Sequence, residues 1–264
     1  MRLKVSHQTR YSYDAPVPYA LQRLRLSPQS FGGQSVVSWR VDVVGASEEV
    51  RFFDQFGNDT RLLSISGGPH MIEVTASGEV DVEDRAGVFG PHTGFAPLWL
   101  FQHQTTLTAP GPLVSEIARN VGDGADVDRL HTLSTLIRDR VAYRVGATDS
   151  STTAEDALKT GEGVCQDHSH IFLSVARGLG FPARYVSGYL LLEGRREQEA
   201  THAWAEAHVQ GLGWVGFDVS NGISPDTRYV RLAVGRDYRD AMPVSGIRIG
   251  AAHEQLEVNI TVEQ

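Results

Sequence analysis

The chain has 264 residues, of which 41% are hydrophobic and 21% charged, and its net charge is −8. A chain of this length and composition buries a sizeable core, and an acidic balance without a lysine or arginine cluster argues against nucleic acid as a partner. One cysteine excludes an intramolecular disulfide, and no apolar stretch reaches the roughly 18 residues of a membrane span. The N-terminus also lacks the apolar core of a signal peptide. We therefore expect a cytoplasmic protein without a membrane partner.

The first hundred residues predict β-strands separated by turns. Segments rich in β-branched and aromatic residues are bounded by Gly, Asn and Asp turn signals, and they fall at 36–44, 49–54, 61–66, 71–77 and 78–84. Residues 87–112, rich in glycine, proline and aromatic residues, indicate a well-packed connection. We expect an antiparallel β module, of the sandwich type, over residues 1–105.

After the β module the pattern changes to helices and then to strands. Helices are predicted over 113–121, over 127–141, from a capping box at Thr153 to Lys159, and from about Cys165 to a stop at Gly180. Strands are predicted at 183–192, 201–209, 213–219, 229–234 and 256–262. Residues 106–264 are therefore expected to form a second domain, and the fold class is α+β.

The most informative feature is the lone cysteine, Cys165, within the stretch Gly161–Asp167 at the predicted start of a helix. Unpaired N–H groups and the helix dipole favour a thiolate there, and the same N–H groups can stabilise the oxyanion of an acyl intermediate. A lone cysteine is more often buried and inert. The glycine-rich entry, with a histidine and an aspartate following in sequence, favours a nucleophile instead.

That histidine and aspartate lie on two strands that are expected to form a hairpin. Pairing Val209 with Gly213 through a three-residue loop places His202 diagonal to Asp218 on one face of the sheet. Pairing Val209 with Trp214 would set a polar face against an apolar one. The sequence therefore predicts the three-residue loop, or a bulge with the same effect.

Four stretches resemble the core of the transglutaminase-like superfamily: Gly161–Asp167, Gly178–Tyr189, Thr201–Trp204 and Gly211–Asp218. The bacterial branch, in which a β-rich N-terminal region precedes that core, is the closest match. The resemblance covers most of the chain and is strongest over about residues 130–222. It implies a papain-like core, in which a catalytic helix packs on an antiparallel sheet. It also implies acyl transfer from an amide through a thioester, to an amine or to water.

The resemblance implies a catalytic triad, with Cys165 as nucleophile, His202 as general base and later acid, and Asp218 as the group that orients the imidazole. It does not fix the second oxyanion donor, for which Gln166 and Tyr143 are candidates.

Two tryptophans and one further histidine are also of interest. Trp204 and Trp214 are candidate walls of the substrate cleft, with aromatic core packing as the alternative. The resemblance assigns no role to His168. A metal is not expected, because His168 and His170 are two apart on a helix and diverge, and the sequence contains no acidic calcium loop.

We expect no cofactor, and a protein or peptide as substrate. Hydrolysis is slightly favoured over cross-linking, because an uncontrolled cytoplasmic cross-linker would damage its host. Three alternatives stay open: an arylamine-type acyltransferase that uses coenzyme A, a non-catalytic binding module with this fold, and a metal-binding protein. The sequence does not determine the natural substrate or the oligomeric state.

Overall fold

The computed structural model describes residues 1–192, 194, 197–198, 200–250 and 253–264. Its strands are β1 (Arg2–Tyr13), β2 (Tyr19–Ser27), β3 (Gln34–Val44), β4 (Ser47–Phe53), β5 (Asp59–Ser66), β6 (Met71–Val82), β7 (Val88–Gly90), β8 (Ala142–Tyr143), β9 (Glu162–Gly163), β10 (Ala183–Leu190), β11 (Glu197–Gln198), β12 (His202–Val209), β13 (Gly213–Phe217), β14 (Tyr229–Gly235), β15 (Val244–Ile249) and β16 (Glu254–Glu263). Its α-helices are α1 (Pro112–Asn120), α2 (Asp126–Arg140), α3 (Ala154–Thr160), α4 (Cys165–Gly178) and α5 (Tyr238–Ala241), and a 3₁₀ helix spans Leu98–Gln102.

The N-terminal part is the expected antiparallel β module. One sheet has the strand order β11-β16-β1-β6-β3 and the other β15-β2-β5-β4. Successive side chains of a strand point to opposite faces, so β1 buries alternate residues such as Leu3 and Val5. They form a common core with Leu24, Leu63 and Val74 from the other strands of the module. A second apolar cluster, which includes Ala20, Ile65 and Ile72, lies between strands of the same module.

One strand prediction within this module was wrong. The sequence predicts two strands at 71–77 and 78–84, whereas β6 continues unbroken through Gly78. A β-carbon at Gly78 would lie 2.1 Å from the carbonyl oxygen of Ser38, where β3 carries a bulge. The glycine therefore accommodates a close neighbouring strand and does not end its own.

The boundary predicted between residues 105 and 106 does not separate the sheets. Both C-terminal strands join the N-terminal module, since β15 pairs with β2 and β16 pairs with β1. In the opposite direction, β7 pairs with β13 of the second part of the chain. Strand patterns in a sequence indicate strands but not their partners, so this exchange could not be read from periodicity.

The second part is built around a sheet with the strand order β14-β10-β12-β13-β7. Helices α1 to α4 pack on one of its faces, and the N-terminal module covers the other. The predicted helices agree with α1 to α4 to within a residue or two. The N-cap of α3 is Thr153, whose hydroxyl accepts a hydrogen bond from Asp156 N at 3.2 Å, as the capping box predicts.

Two side-chain amides of the N-terminal module attach it to the outermost strand β14. Gln34 both donates to the carbonyl and accepts from the N–H of Arg231, at 2.9 and 2.8 Å. Asn58 makes the same pair of bonds with Val234, both at 2.8 Å. β14 is an edge strand, and these two side-chain amides make hydrogen bonds with its backbone that a neighbouring strand would otherwise make. Among the described residues, none of the helices combines the length and apolar character needed to cross a membrane.

Candidate active site

The three residues predicted as a triad lie at the ends of three different elements. Cys165 is the first residue of α4, His202 is the first residue of β12, and Asp218 directly follows β13. Helix α4 packs on the face of β12 that carries Ala203 and Ala205, in one apolar cluster with these residues. The small side chains on this face bring the start of the helix close to the start of the strand.

The hairpin has the register predicted from its polar and apolar faces. Val209 pairs with Gly213, which leaves a three-residue loop between the strands. The ladder continues to the pair Ala205–Phe217, after which the chain turns and Asp218 bridges to Ile223. The imidazole Nε2 of His202 lies 2.6 Å from Asp218 Oδ2. The prediction of the loop and of this contact is confirmed.

The carboxylate of Asp218 is buried and held by four donors. Besides His202 Nε2, its Oδ2 accepts hydrogen bonds from the hydroxyl of Tyr229 and from Asn221 Nδ2, both at 2.7 Å. Its Oδ1 accepts from the backbone N–H of Asn221 at 3.2 Å. Burial opposes the charge, but the bonds to His202, Asn221 and Tyr229 outweigh it and lower the pKa of Asp218. The group is therefore ionised at neutral pH and fixed in orientation.

The imidazole of His202 connects this carboxylate to the thiol. Burial disfavours its charged form, but hydrogen bonds and charge interactions with Asp218 and Cys165 raise the pKa of His202 to about 10. Because Nε2 faces Asp218, Nδ1 is the nitrogen left for the half-buried, free Cys165. These contacts favour an imidazolium beside the sulfur at neutral pH.

The entry to α4 is fixed by Asp167, two residues after the cysteine. Its Oδ2 accepts from the N–H of Val164 at 2.8 Å and from the hydroxyl of Thr148 at 2.5 Å. A β-carbon at Gly163 would lie 2.8 Å from this side chain, so glycine is needed for the close approach. Burial raises the pKa of Asp167. The first turn of α4, which carries Cys165, is thus held in place by the buried side chain of Asp167.

The two histidines of α4 have separate surroundings. His168 contacts the hydroxyl of Ser220 through Nδ1 at 2.8 Å and the carbonyl of Val141 through Nε2 at 3.0 Å. His170 Nε2 accepts from the N–H of Tyr238 at 3.2 Å. Among the described residues, no group of three or more His, Cys, Asp or Glu side chains is arranged to hold a metal ion.

The two candidate oxyanion donors lie in different elements, Gln166 in the first turn of α4 and Tyr143 in β8. Gln166 directs its amide nitrogen toward the carbonyl of Asp149, at 3.5 Å. Tyr143 is 55% exposed in β8, and its ring centroid lies 6.2 Å from that of His168. Neither contact tests the role of these residues in stabilising an oxyanion, which stays a prediction.

The structure corrects the expectation that two tryptophans line the substrate cleft. Trp204 and Trp214 are only 1% and 2% exposed and belong to the core between the sheet and the N-terminal module. Trp204 stacks beside His202, with ring centroids 6.2 Å apart. Trp214 instead lies under the guanidinium of Arg184, 4.0 Å from the ring centroid. The core-packing alternative therefore applies, because the N-terminal module covers the face on which they lie.

Sequence reasoning missed Tyr229 and Asn221, the two residues besides His202 that donate hydrogen bonds to the carboxylate of Asp218. Tyr229 lies on β14, two strands away from β12, and its reach to Asp218 depends on the order β14-β10-β12. Asn221 lies three residues after Asp218. An Asp-x-x-Asn spacing in a turn is the signal that could have indicated it, since aspartate side chains bind nearby backbone N–H groups.

Comparisons with known proteins agree with this architecture. The sequence model of the Transglutaminase-like superfamily matches residues 115–219, and that of the Bacterial transglutaminase-like N-terminal region matches residues 3–81. An uncharacterized protein of Mycobacterium leprae is 29% identical over 278 residues, covering 99% of this chain and 98% of that protein. An uncharacterized protein of Mycobacterium tuberculosis is 28% identical over 291 residues, covering 99% and 92%.

Among solved structures, the chain is similar to "a Putative Cysteine Protease from Cytophaga hutchinsonii", with a TM-score of 0.77 and 20% identity over 100% of this chain and 91% of that one. This similarity shows the fold. The two sequence matches occur in the order that the fold displays, the N-terminal region first and the core second. The chain belongs to the transglutaminase-like superfamily, in the bacterial form that carries this N-terminal region before the core.

Proposed function

We propose that the protein is a cysteine-dependent enzyme that cleaves or transfers the acyl group of a peptide-like amide. The observation that carries the proposal is the imidazole of His202, whose Nε2 lies 2.6 Å from Asp218 Oδ2. Interactions with Asp218 and with Cys165 raise the pKa of His202 to about 10. A thiolate beside an imidazolium is a nucleophile already paired with its proton donor. Its position at the start of α4 adds backbone N–H groups directed toward the developing oxyanion.

The first half of the reaction forms a thioester. The sulfur of Cys165 attacks the amide carbonyl carbon, and the C–S bond forms as the carbonyl π electrons move to oxygen. The N–H groups at the start of α4 stabilise this oxyanion. The C–N bond then breaks, and His202 gives its Nδ1 proton to the leaving amine. Asp218 holds the ring in the required orientation throughout.

The second half transfers the acyl group to an acceptor. His202, now neutral, takes a proton from water or from an amine, and the acceptor attacks the thioester carbonyl. The C–S bond breaks, which returns the thiolate and the imidazolium. With water the product is a carboxylic acid, and with an amine it is a new amide. Water is the acceptor we favour, with a protein or peptide as the substrate and the cytoplasm as the location.

The test is the rate at which iodoacetamide alkylates Cys165, measured from pH 5 to pH 10. An ordinary thiol with a pKa of about 8.5 is only about 1% thiolate at pH 6.5. We expect the folded protein to react far faster than this, and His202→Ala to slow the reaction at pH 6.5 by up to about 100-fold. His208→Ala is the matched control, since His208 lies on the same strand at a distance from the cysteine and contacts Trp214. A wild-type profile equal to that of the urea-unfolded chain would refute the proposal.

A second measurement separates the acceptors. A peptide carrying a chromogenic amide is incubated with the protein, with and without a primary amine. Release of the chromogenic amine without added acceptor indicates hydrolysis, whereas release that depends on the added amine indicates transfer. The Cys165→Ala variant removes the nucleophile, so any release that it retains does not come from this site. Acetyl transfer from acetyl coenzyme A, measured in parallel, would favour the arylamine-type alternative.

A further inference from the structure

His168 is a buried titratable side chain near the site to which the mechanism gives no role. His168 lies three residues after Cys165 on α4 and is 1% exposed. Since three residues advance a helix by about 4.5 Å and almost one turn, the two side chains lie on neighbouring positions of one helical side. His168 therefore lies on the same side of α4 as the nucleophile, almost one turn further along.

The hydrogen bonds of His168 fix its tautomer. The carbonyl oxygen of Val141 can only accept, so Nε2 carries the hydrogen. In the neutral ring Nδ1 is then an acceptor, and the hydroxyl of Ser220 donates to it. Burial lowers the pKa of His168, which keeps the ring neutral. Both ring nitrogens are thus occupied by structural partners.

Ser220 belongs to the turn that begins at Asp218, and hydrogen bonds within this turn fix the position of Asp218. The N–H of Gly222 donates to the carbonyl of Asp218 at 2.8 Å, and the N–H of Asn221 donates to its carboxylate at 3.2 Å. The N–H of Asp218 in turn donates to the carbonyl of Ile223 at 2.9 Å. A bond that holds Ser220 consequently holds the carboxylate that orients His202.

We propose that the His168–Ser220 hydrogen bond is a tether that sets the distance between the thiol of Cys165 and the His202–Asp218 pair. The inference rests on the proposed function. Helix α4 carries the nucleophile at one end of this tether, and the turn that carries Asp218 is at the other. His168 is accordingly a positioning residue. Reactions of this kind are sensitive to placement, because a displacement of about 1 Å can cost about a hundredfold in rate.

Three substitutions distinguish the hydrogen bond of His168 to Ser220 from its hydrogen bond to Val141. Ser220→Ala removes the tether and leaves His168 in place. In His168→Gln the longer amide reaches the position of Nε2 and keeps the Val141 bond, whereas in His168→Asn the shorter amide reaches the position of Nδ1 and keeps the Ser220 bond. The measurement is the pH profile of Cys165 alkylation by iodoacetamide. Labelling is compared only between variants that are folded under the conditions of the measurement, so that a shifted profile reports the pairing of Cys165 with His202 and not unfolding.

We expect Ser220→Ala and His168→Gln to slow labelling at pH 6.5 by about tenfold, because a factor of this size corresponds to the loss of about one hydrogen bond. The labelling rate of His168→Asn should stay closer to that of wild type. The double variant Ser220→Ala/His168→Gln should react no more slowly than either single variant, since both remove the same bond. Ser115→Ala is the control for loss of a hydroxyl hydrogen bond, because the exposed Ser115 of α1 donates to the carbonyl of Gly111.

The outcomes distinguish this inference from the function on which it rests. If the wild-type profile is activated and Ser220→Ala leaves it unchanged, the tether is overturned and the proposed function stands. If the wild-type protein labels as an ordinary thiol, both are overturned. If His168→Asn is as slow as His168→Gln, the bond to Ser220 is not the one that matters, and the tether is again overturned.

Discussion

The two faces of the sheet that carries the site are packed in different ways. The face toward α4 presents small apolar side chains of β12, among them Ala203, Ala205 and Ala207. The face toward the N-terminal module presents Trp204 and Glu206, and the latter carboxylate is fully buried. Each face of one strand thus meets a different kind of partner.

The helix-facing side brings two elements close together, and the module-facing side fixes their orientation. Alanine side chains permit a close approach of α4 but are not directional. On the other face, Glu206 Oε2 accepts from Arg184 Nε at 2.7 Å, and Arg231 Nη1 lies 3.6 Å away. The guanidinium of Arg231 also lies 3.4 Å from the ring centroid of Phe31 in the N-terminal part. When one partner of such a buried charge group is removed, the remaining charges are left uncompensated and the folded state is strongly destabilised.

The largest expected effect follows from breaking that charge group. Glu206→Ala leaves the buried Arg184 and the partly buried Arg231 without their carboxylate and is expected to lower the free energy of unfolding by about 3 to 5 kcal/mol. Urea unfolding followed by tryptophan fluorescence measures it. The control is Glu257→Ala, which breaks an exposed pair with Arg10 and is expected to cost less than about 1 kcal/mol. Equal losses in the two variants would show that burial adds nothing to the Glu206 interaction.

A smaller effect is expected from the helix-facing side. Ala205 is fully buried against α4, so Ala205→Leu must push the helix away from β12. We expect a loss of about 1 to 3 kcal/mol in unfolding free energy. Cys165 labelling at low pH should slow as well, because the helix that carries the thiol moves.

The exposed Ala109 provides the control for this change, and Ala109→Leu should alter the unfolding free energy by about 0.5 kcal/mol or less. A stable Ala205→Leu variant with unchanged labelling would contradict the view that small side chains set the approach of α4.

The hairpin is the part of the site that the sequence predicted best. Its register follows from pattern alone, because pairing Val209 with Trp214 would have placed a polar face against an apolar one. The pattern also indicated that α4 begins at the cysteine, since the glycine-rich entry precedes an apolar helical stretch. Local chemistry was sufficient in both cases.

Contacts between distant segments could not be predicted in this way. Alternation places Trp204 and Glu206 on one face, but nothing in the alternation says that the N-terminal module covers that face. The partners of His168 and the reach of Tyr229 likewise depend on the strand order and on the turn after β13. The C-terminal strand β16 pairs with β1, more than 240 residues earlier, which no local signal encodes.

The last prediction concerns Gly188, the residue of β10 that lies next to the catalytic-site histidine His202 in the sheet. Gly188 of β10 pairs with His202, and a β-carbon there would lie 2.3 Å from the carbonyl oxygen of Val230 and 2.5 Å from the ring of Trp204. Gly188→Ala must therefore displace β14 or the indole that stacks beside His202. We expect a loss of about 1 kcal/mol, at the low end of overpacking because only one carbon is added.

Gly178→Ala is the matched control, since Gly178 lies at the exposed end of α4 and its added carbon meets nothing within 4 Å. Alanine there is expected to raise the unfolding free energy by about 0.5 to 1 kcal/mol, because glycine is the poorer helix former. Thermal unfolding of the two variants should thus shift in opposite directions. A Gly188→Ala protein as stable as wild type, with unchanged labelling of Cys165, would mean that β10 does not constrain His202. The module-facing side would then contribute to stability without positioning the site.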